Sequence, residues 1–455
     1  MIRCEVDATG SPGSLGEPSG GRVLEQSTKG GDMRSGGWVR RTAVLGASMI
    51  GVTSLVVAGA GSSTAGAASK SPVKVAYLVP LTGTAAANGM DEENGFNLGL
   101  KHFGRVVDGH KIQVRYLDTQ GTPNVALSDA KQALQSTHVD VVEGPLLANE
   151  IAAVSPYVMS KGIPEDDLFL ASPTQMADYQ QFKLGFTSGW DAYQPGTEAA
   201  KWAYKTMGWH HMTTFGDAYS FGWETVGAFD AEFKKLGGTI TKALWAPITE
   251  ANISSYVSQI PSTTQALYIE TLGAQAVNFY SDLKAYGLKG KIPVLGITTT
   301  TDQSALASAT PTAAAGTYVA SQYCDDIPTK VNQTFANAYH KAYGAWPAYY
   351  SEAGYTKAEI LVTALKKIKG TAKNGKRLAK AMLAVHITAP RGPVTISKKT
   401  YSPVQNVYIC KVEIKHGSAR NVPIKTFVKV KPWGLLSPSA WKSAFTSNST
   451  GQPAT

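Results

Sequence analysis

Three stretches of the sequence carry residue types that do chemistry, and each fails on its spacing. Gly370-Thr371-Ala372-Lys373-Asn374-Gly375-Lys376-Arg377 approaches a glycine-rich loop that cradles phosphate. Such a loop follows a strand and ends in a Ser or Thr whose hydroxyl holds Mg²⁺. Here a helical pattern precedes it and Arg377 stands where the hydroxyl belongs, so the stretch reads as a linker between helices. His210-His211 offers two imidazoles, but adjacent residues point to different faces and no third ligand is near, so the pair reads as a strand edge. Cysteines stand only at 4, 324 and 410, which excludes a disulfide-dense scaffold and any Cys-x-x-Cys zinc or iron–sulfur cluster. Neither Gly-x-Ser-x-Gly nor His-Glu-x-x-His occurs. No catalytic residue, metal or cofactor is therefore expected. What remains is binding, and the 20 Tyr and 9 Trp read as core or cleft lining.

Binding needs elements that aim loops at a common point. Residues 1–32 are Gly/Ser/Pro-rich with no periodic apolar face. From Met33 a new unit begins: Arg34, Arg40 and Arg41, then an uncharged stretch from Thr42 to Ala60, then the small-x-small site Ala65-Gly66-Ala67. That order reads as a signal peptide within residues 1–67, rather than as a transmembrane anchor. Arg40-Arg41 hints at twin-arginine export but lacks the usual surroundings, so general secretion is the expectation. No Cys lies near the cleavage site, so no lipid anchor is expected.

Beyond it, strand and helix alternate. Val73–Val79 is a run with β-branched residues closed by Pro80, and Phe96, Leu100 and Phe103 lie on one stripe of a helix over 91–103. Strands follow at 112–117, 139–142, 167–171, 211–215, 239–245, 266–270 and 292–296. Helices fall at 125–134, 148–159, 194–207, 222–236 and 274–286. Three further helices (331–343, 350–368, 376–385) and three late strands (393–396, 407–412, 426–430) complete the pattern. The fold class is α/β, with two doubly wound lobes, over about 72–185 and 192–320. In such sheets ligands sit at the carboxyl ends of the strands, so the site belongs in the cleft between lobes.

The motifs Val79-Pro80-Leu81-Thr82-Gly83, Asn94-Gly95-Phe96, Asp118-Thr119-Gln120, Gly144-Pro145, Ser172-Pro173, Pro390-Arg391-Gly392-Pro393-Val394 and Pro403-Val404-Gln405-Asn406-Val407-Tyr408-Ile409 occur in that order. In order and spacing the sequence over about 73–413 resembles the type I periplasmic solute-binding proteins of ABC transporters, in their branched-chain amino acid branch. The resemblance implies lobes made of 72–188 with 322–390 and of 189–321 with 391–434, and a tail at 435–455. It also implies three crossovers, near 186–191, 316–322 and 390–396, and closure about a hinge on a small solute. The family's ligand loops fall on Asn88, Leu147, Ala148, Ser172, Pro173 and Thr174 in the first lobe, and on Asp191, Phe221, Leu272 and Thr298 in the second. Thr174 and the amides after Gly144 would hold a carboxylate at helix N-termini. Asp191 would accept from a donor, and Phe221 and Leu272 would form apolar walls. Three positions depart from the family: Asn88 replaces an aromatic residue, Ala148 a small hydroxyl residue, and Thr298 the carboxylate that holds an α-ammonium. A neutral or anionic solute, such as an amide, an aromatic acid or another small carboxylate, therefore fits at least as well as a zwitterion. Cys324 and Cys410 fall in different lobes on this reading, where a bond would resist opening, so free or buried thiols are expected.

Charge adds one more expectation. Of 43 Lys+Arg against 33 Asp+Glu, 16 basic residues and one acid, Glu413, lie between Lys366 and Lys431. The rest of the exported chain is net acidic. The run reads either as a solvated face or as adhesion to an anionic envelope. The resulting expectation is an exported, monomeric, non-enzymatic protein that is periplasmic or associated with the cell envelope and delivers a small solute to ABC permease subunits. The alternative is a sensor of the same fold that signals to a partner protein. Nucleic acid is not an expected partner.

Overall fold

The computed structural model describes residues 70–308 and 312–432. The expected signal peptide, Cys4 and the tail at 435–455 lie outside the described residues. The first lobe is laid down as β1 (Val73–Val79), α1 (Ala86–Phe103), β2 (Val106–Val107), β3 (His110–Asp118), α2 (Pro123–Ser136), β4 (Val141–Glu143), α3 (Ala148–Ser160), β5 (Glu165–Leu170), α4 (Pro173–Phe182) and β6 (Gly185–Asp191). Its strands form one sheet in the order β2-β3-β1-β4-β5-β6, parallel except for the β2–β3 hairpin. β1 is buried almost throughout and pairs with β3 from Val73↔Ile112 to Val79↔Asp118. The chain winds one way from β1 to β3 and the other way from β4 onward. This reversal opens a crevice beyond the carboxyl ends of β1 and β4.

The second lobe repeats the device with α5 (Tyr193–Lys205), β7 (His211–Asp217), α6 (Ser220–Lys235), β8 (Thr239–Ala246), α7 (Ser254–Val257), β9 (Ala266–Ile269), α8 (Gly273–Ala285), β10 (Val294–Ile297), a 3₁₀ turn at Thr298–Thr300, α9 (Gln303–Ser308) and β11 (Tyr318–Ser321). The chain then adds α10 (Lys330–Tyr343), α11 (Tyr349–Lys367), α12 (Gly375–Leu383), β12 (His386–Ala389), β13 (Gly392–Ile396), β14 (Pro403–Lys415) and β15 (Ser418–Val430). The second sheet runs β12-β13-β14-β11-β10-β9-β7-β8, with β15 also on β14. Its winding reverses between β7 and β9.

Helix α11 returns to the first lobe and packs on α1 at backbone distance. A Cβ at Gly95 would stand 1.9 Å from the Ser351 carbonyl oxygen, and one at Gly354 would stand 2.1 Å from that of Glu92. Only glycine permits this approach. Ala389, Val394 and Ile396 of the β12–β13 hairpin pack in the first lobe's core with Val73, Val75 and Leu361, while β13 hydrogen-bonds to the start of β14. Chain passages between the two sheets thus gather where β6, α11, β13 and β14 meet. Arg391 is buried there: its Nη1 lies 2.5 Å from Glu352 Oε2, its Nη2 donates to the Ser188 carbonyl, and its own carbonyl accepts from Tyr408 OH at 2.8 Å.

Three expectations from sequence need restating. Cys324 and Cys410 are joined by a disulfide, with Cα atoms 6.6 Å apart, because both lie in the second lobe. Cys324 follows β11, and β11 pairs with β14, which carries Cys410. The bond therefore fastens a strand pair and does not span the cleft. The basic run is divided by the fold: Lys366–Lys399 lies on α11, α12 and the segments around β12 and β13, and Lys411–Lys431 on the β14–β15 hairpin. Finally, β5 begins at Glu165, so Glu165, Asp166 and Asp167 all stand inside a buried strand.

These three acids, with Glu92 and Glu143, surround one buried cation, Lys357, whose Nζ is 3.0 Å from Glu92 Oε1. Ser188 N–H donates to Asp166 at 2.7 Å, and Tyr179 OH donates to Asp167. The carboxyl oxygens of Glu143 have no hydrogen-bond partner among the described residues. Burial, reinforced by neighbouring carboxylates, raises the pKa of Glu143, Glu165, Asp166 and Asp167, the last to about 7. The folded lobe therefore binds more protons than the unfolded chain between pH about 4 and about 7, and stability falls as pH rises through that window. Denaturant titrations should give a lower midpoint at pH 7.5 than at pH 5 (about three units above the unfolded carboxylate range and one above it). E165Q should flatten that slope. Arg391→Met should cost about 3–5 kcal/mol, because it strands Glu352 without its cation.

Candidate functional site

The two crevices face each other. Asn88 on α1 donates through Nδ2 to Ser304 Oγ on α9 at 3.0 Å, joining the lobes directly. Gly273 starts α8 at φ +56°, and a Cβ there would lie 2.9 Å from the carbonyl oxygen of Thr84 on the other lobe. Between these contacts a groove of about 310 Å³ is lined by Thr84, Ala87, Gly273, Val277, Asn278 and Ser304. The lobes are closed on one another.

Behind this rim lies a cluster of rings drawn from both lobes. Phe169 at the end of β5 stacks on Phe221 of α6, with ring centroids 4.7 Å apart. Trp190 of β6 packs on Phe221 at 5.6 Å and on Tyr349 of α11 at 5.4 Å. Tyr219 adjoins Phe221 at 6.1 Å. Trp190 Nε1 and Tyr349 OH have no hydrogen-bond partner among the described residues although both are buried. Rings with orphan polar tips can take a flat solute that brings its own acceptors and donors.

The ten residues expected from sequence divide into groups. Asn88, Leu147, Ala148, Asp191, Phe221, Leu272 and Thr298 are buried. Leu147 and Ala148 open α3 at the end of β4, and Leu272 precedes α8 at the end of β9. Asp191 Oδ1 accepts from Tyr193 N–H at 2.9 Å, where the chain passes to the second lobe. Ser172 is the N-cap of α4 and accepts from Gln175 N–H at 3.1 Å, which leaves its hydroxyl hydrogen to donate. Pro173 has no N–H to offer, and Thr174 is exposed on the first turn of α4. Thr298 meets the ring cluster only at Tyr349. Its hydroxyl pairs with Ser321 Oγ, and it lines a cavity of about 10 Å³ with Asp302, Tyr323 and Tyr349. That is room for about one water.

Sequence reading missed Phe169, Trp190, Tyr219 and Tyr349, which come together only through the fold. It also missed a carboxyl pair at the second crevice. Glu270, at the end of β9, accepts from Asp217 N–H at 3.0 Å, and Glu270 Oε1 has no partner among the described residues. Burial raises both pKa values, and the Glu270 charge adds to the shift at Asp217. Burial thus favours the protonated form of the pair.

A family model described as "Periplasmic binding protein" matches residues 72–419. The chain belongs to that family, as a type I member of the branched-chain amino acid branch. Leu/Ile/Val-binding protein homolog 6 of Brucella suis is 24% identical over 383 residues, covering 82% of this chain and 95% of the relative. A solute-binding protein of an ABC transporter from Rhodopseudomonas palustris BisB5, solved with 3,4-dihydroxybenzoic acid, is 26% identical. It covers 80% of this chain and 99% of its own, with a TM-score of 0.75. A leucine-binding protein from Thermotoga maritima shares the fold at 20% identity and a TM-score of 0.69, covering 78% of this chain and 99% of its own. Among the described residues no helix is long and apolar enough to cross a membrane.

In this periplasmic binding protein the closed interface carries two acids, one from each lobe. Burial and the Asp302 charge push Asp91 up to about 7, although Tyr339 OH donates to it at 2.8 Å. Burial pushes Asp302 up to about 6 against the amides of Ser304 and Tyr349. Opening would return both carboxyls to water and to their ordinary range near 4. Closure thus takes up protons, and it weakens as pH rises from about 4 to about 7. Small-angle scattering should show a larger radius of gyration at pH 8 than at pH 5 (about one unit on either side of these two values). D91N should remove most of that difference.

Proposed function

We propose that this chain is an exported solute-binding protein that delivers a small solute to the permease subunits of an ABC importer by hinge closure. The solute is amino-acid-like, a carboxylate or an amide, and an aromatic carboxylate suits the site well. The observation that carries this reading is the ring cluster of Phe169, Trp190, Phe221 and Tyr349, contributed by both lobes at opposed crevices. A ligand inserted there would touch both lobes at once, and such contacts shift the population toward the closed state. On the first lobe, the amides that start α3 at Ala148 and α4 at Thr174 suit a carboxylate. Leu147 and Leu272 would flank the solute, and Asn88, Ser172 and Asp191 would supply polar contacts. Thr298 would act through Tyr349 and the small cavity they share. The Rhodopseudomonas relative's dihydroxybenzoate and the Brucella relatives' names support a carboxylate solute. The leader at 1–67 supports export.

A thermal-shift screen of hydroxybenzoates, benzoate, branched-chain and aromatic amino acids, amides and sugars should show stabilisation by carboxylates. At a hundredfold excess over Kd the gain is about 2.7 kcal/mol. Stabilisation by sugars alone, or by nothing in the set, would overturn this reading. Phe221→Ala should weaken the best hit by about tenfold or more, measured by calorimetry, through lost ring contact.

A further inference from the structure

We propose that the outer strand β15 is a docking strip for an anionic phospholipid bilayer. The strand has two unlike halves. Its first half is anchored: the Arg420 guanidinium pairs with Asp325, Asn421 N–H donates to Asp325 Oδ1 at 2.9 Å, and Asn421 Nδ2 donates to the Thr301 carbonyl at 2.9 Å. Its second half, Ile424–Lys429, is exposed on both faces except for Phe427, which is half-buried. Among the described residues no strand pairs with its outer edge.

The residues displayed there are of two kinds. Ile424 and Val428 alternate on one face and are 47% and 70% exposed. Lys425 lies on the other with Phe427, over whose ring its Nζ stands 5.9 Å from the centroid, Lys429 sits at φ +53° in a bulge of the strand, and Lys431 follows. None of these three lysines forms an ion pair among the described residues, unlike Lys415 and Arg420 further along the hairpin. Three of the eight large apolar side chains that the described residues expose, Ile414, Ile424 and Val428, sit on this one hairpin. The other half of the basic run, Lys366–Lys399, has none. That half matches a solvated face, whereas the β15 half combines cations with apolar tips.

A second copy of the chain is a poor occupant for the edge. Pro423 donates no hydrogen bond, and two lysine-bearing strips would meet like charge with like. A surface of dense negative charge over an apolar interior complements both features. The lysines would lie among phosphates while Ile424 and Val428 enter the boundary beneath them. The exposed half is about 17 Å long, enough to engage several headgroups.

The test is co-sedimentation of residues 68–455, which hold every described element, with vesicles of phosphatidylcholine alone or mixed with phosphatidylglycerol. Binding is expected only to the mixed vesicles, and it should fall steeply with salt. K425Q/K429Q/K431Q should weaken it by about fivefold per lysine at low salt. I424S/V428S should weaken it without changing its salt dependence, and K376Q/R377Q/K380Q on α12 should change it little. All of the β15 positions are exposed, and unchanged melting curves would show that the variants fold. Failure to sediment with the mixed vesicles overturns the proposal, as does binding that the β15 variants leave intact or that the α12 variant reduces equally. A concentration-dependent dimer dissolved by V428K, with no vesicle binding, would assign the strip to a second copy instead.

Discussion

The structure turns on one guanidinium withdrawn from water. Arg391 has to be matched by Glu352 and by the Ser188 carbonyl, because an unpaired charge in that position is not sustainable. Those partners come from α11 and β6, and Tyr408 of β14 closes the set. Each belongs to a segment at or beside a passage between the sheets. Meeting one electrostatic requirement therefore fixes where the passages lie against one another, and so where the two crevices point. The disulfide acts beside it, tying the segment after β11 to β14. Around this fixed axis the facing walls are held by lighter contacts, such as Asn88 to Ser304.

The first lobe places another burden in its interior. Burial raises the pKa of Glu143, Glu165, Asp166 and Asp167 around Lys357, so this core takes up protons as it forms. The interface repeats the theme with Asp91 and Asp302, and the second crevice with Asp217 and Glu270. Stability, closure and the charge presented to a solute are thus coupled to the acidity outside. Acid favours the folded and closed forms for the same reason in each place.

Much of this architecture was legible in the sequence. Val73–Val79 announces a buried parallel strand by its branched run, and Phe96, Leu100 and Phe103 declare a helix face. β5 was legible only from Asp167 onward, because Glu165-Asp166 contradicts any apolar pattern and is buried near Lys357, almost two hundred positions away. The cysteines were misread because the lobe assignment at the second passage, which put Cys324 in the first lobe, was drawn from resemblance, whereas strand pairing decides it. At the site, strand-end loops such as Leu147-Ala148 and Leu272 could be located by counting elements. The rings could not, since Phe169, Trp190, Phe221 and Tyr349 have no common spacing and meet only when both lobes and the returning helix are in place.

The glycine-backed contact between α1 and α11 also sets an order of events. The first lobe's opening helix rests against a helix that ends at Lys367, so that lobe cannot be finished while the chain is still being made through its middle. The second lobe intervenes in sequence, and it too waits for β14 and β15. Neither half can set firm early, as the leading domain of a multidomain chain ordinarily does. A polypeptide of this connectivity stays pliable until almost all of it has emerged. The export proposed for this chain would call on that property.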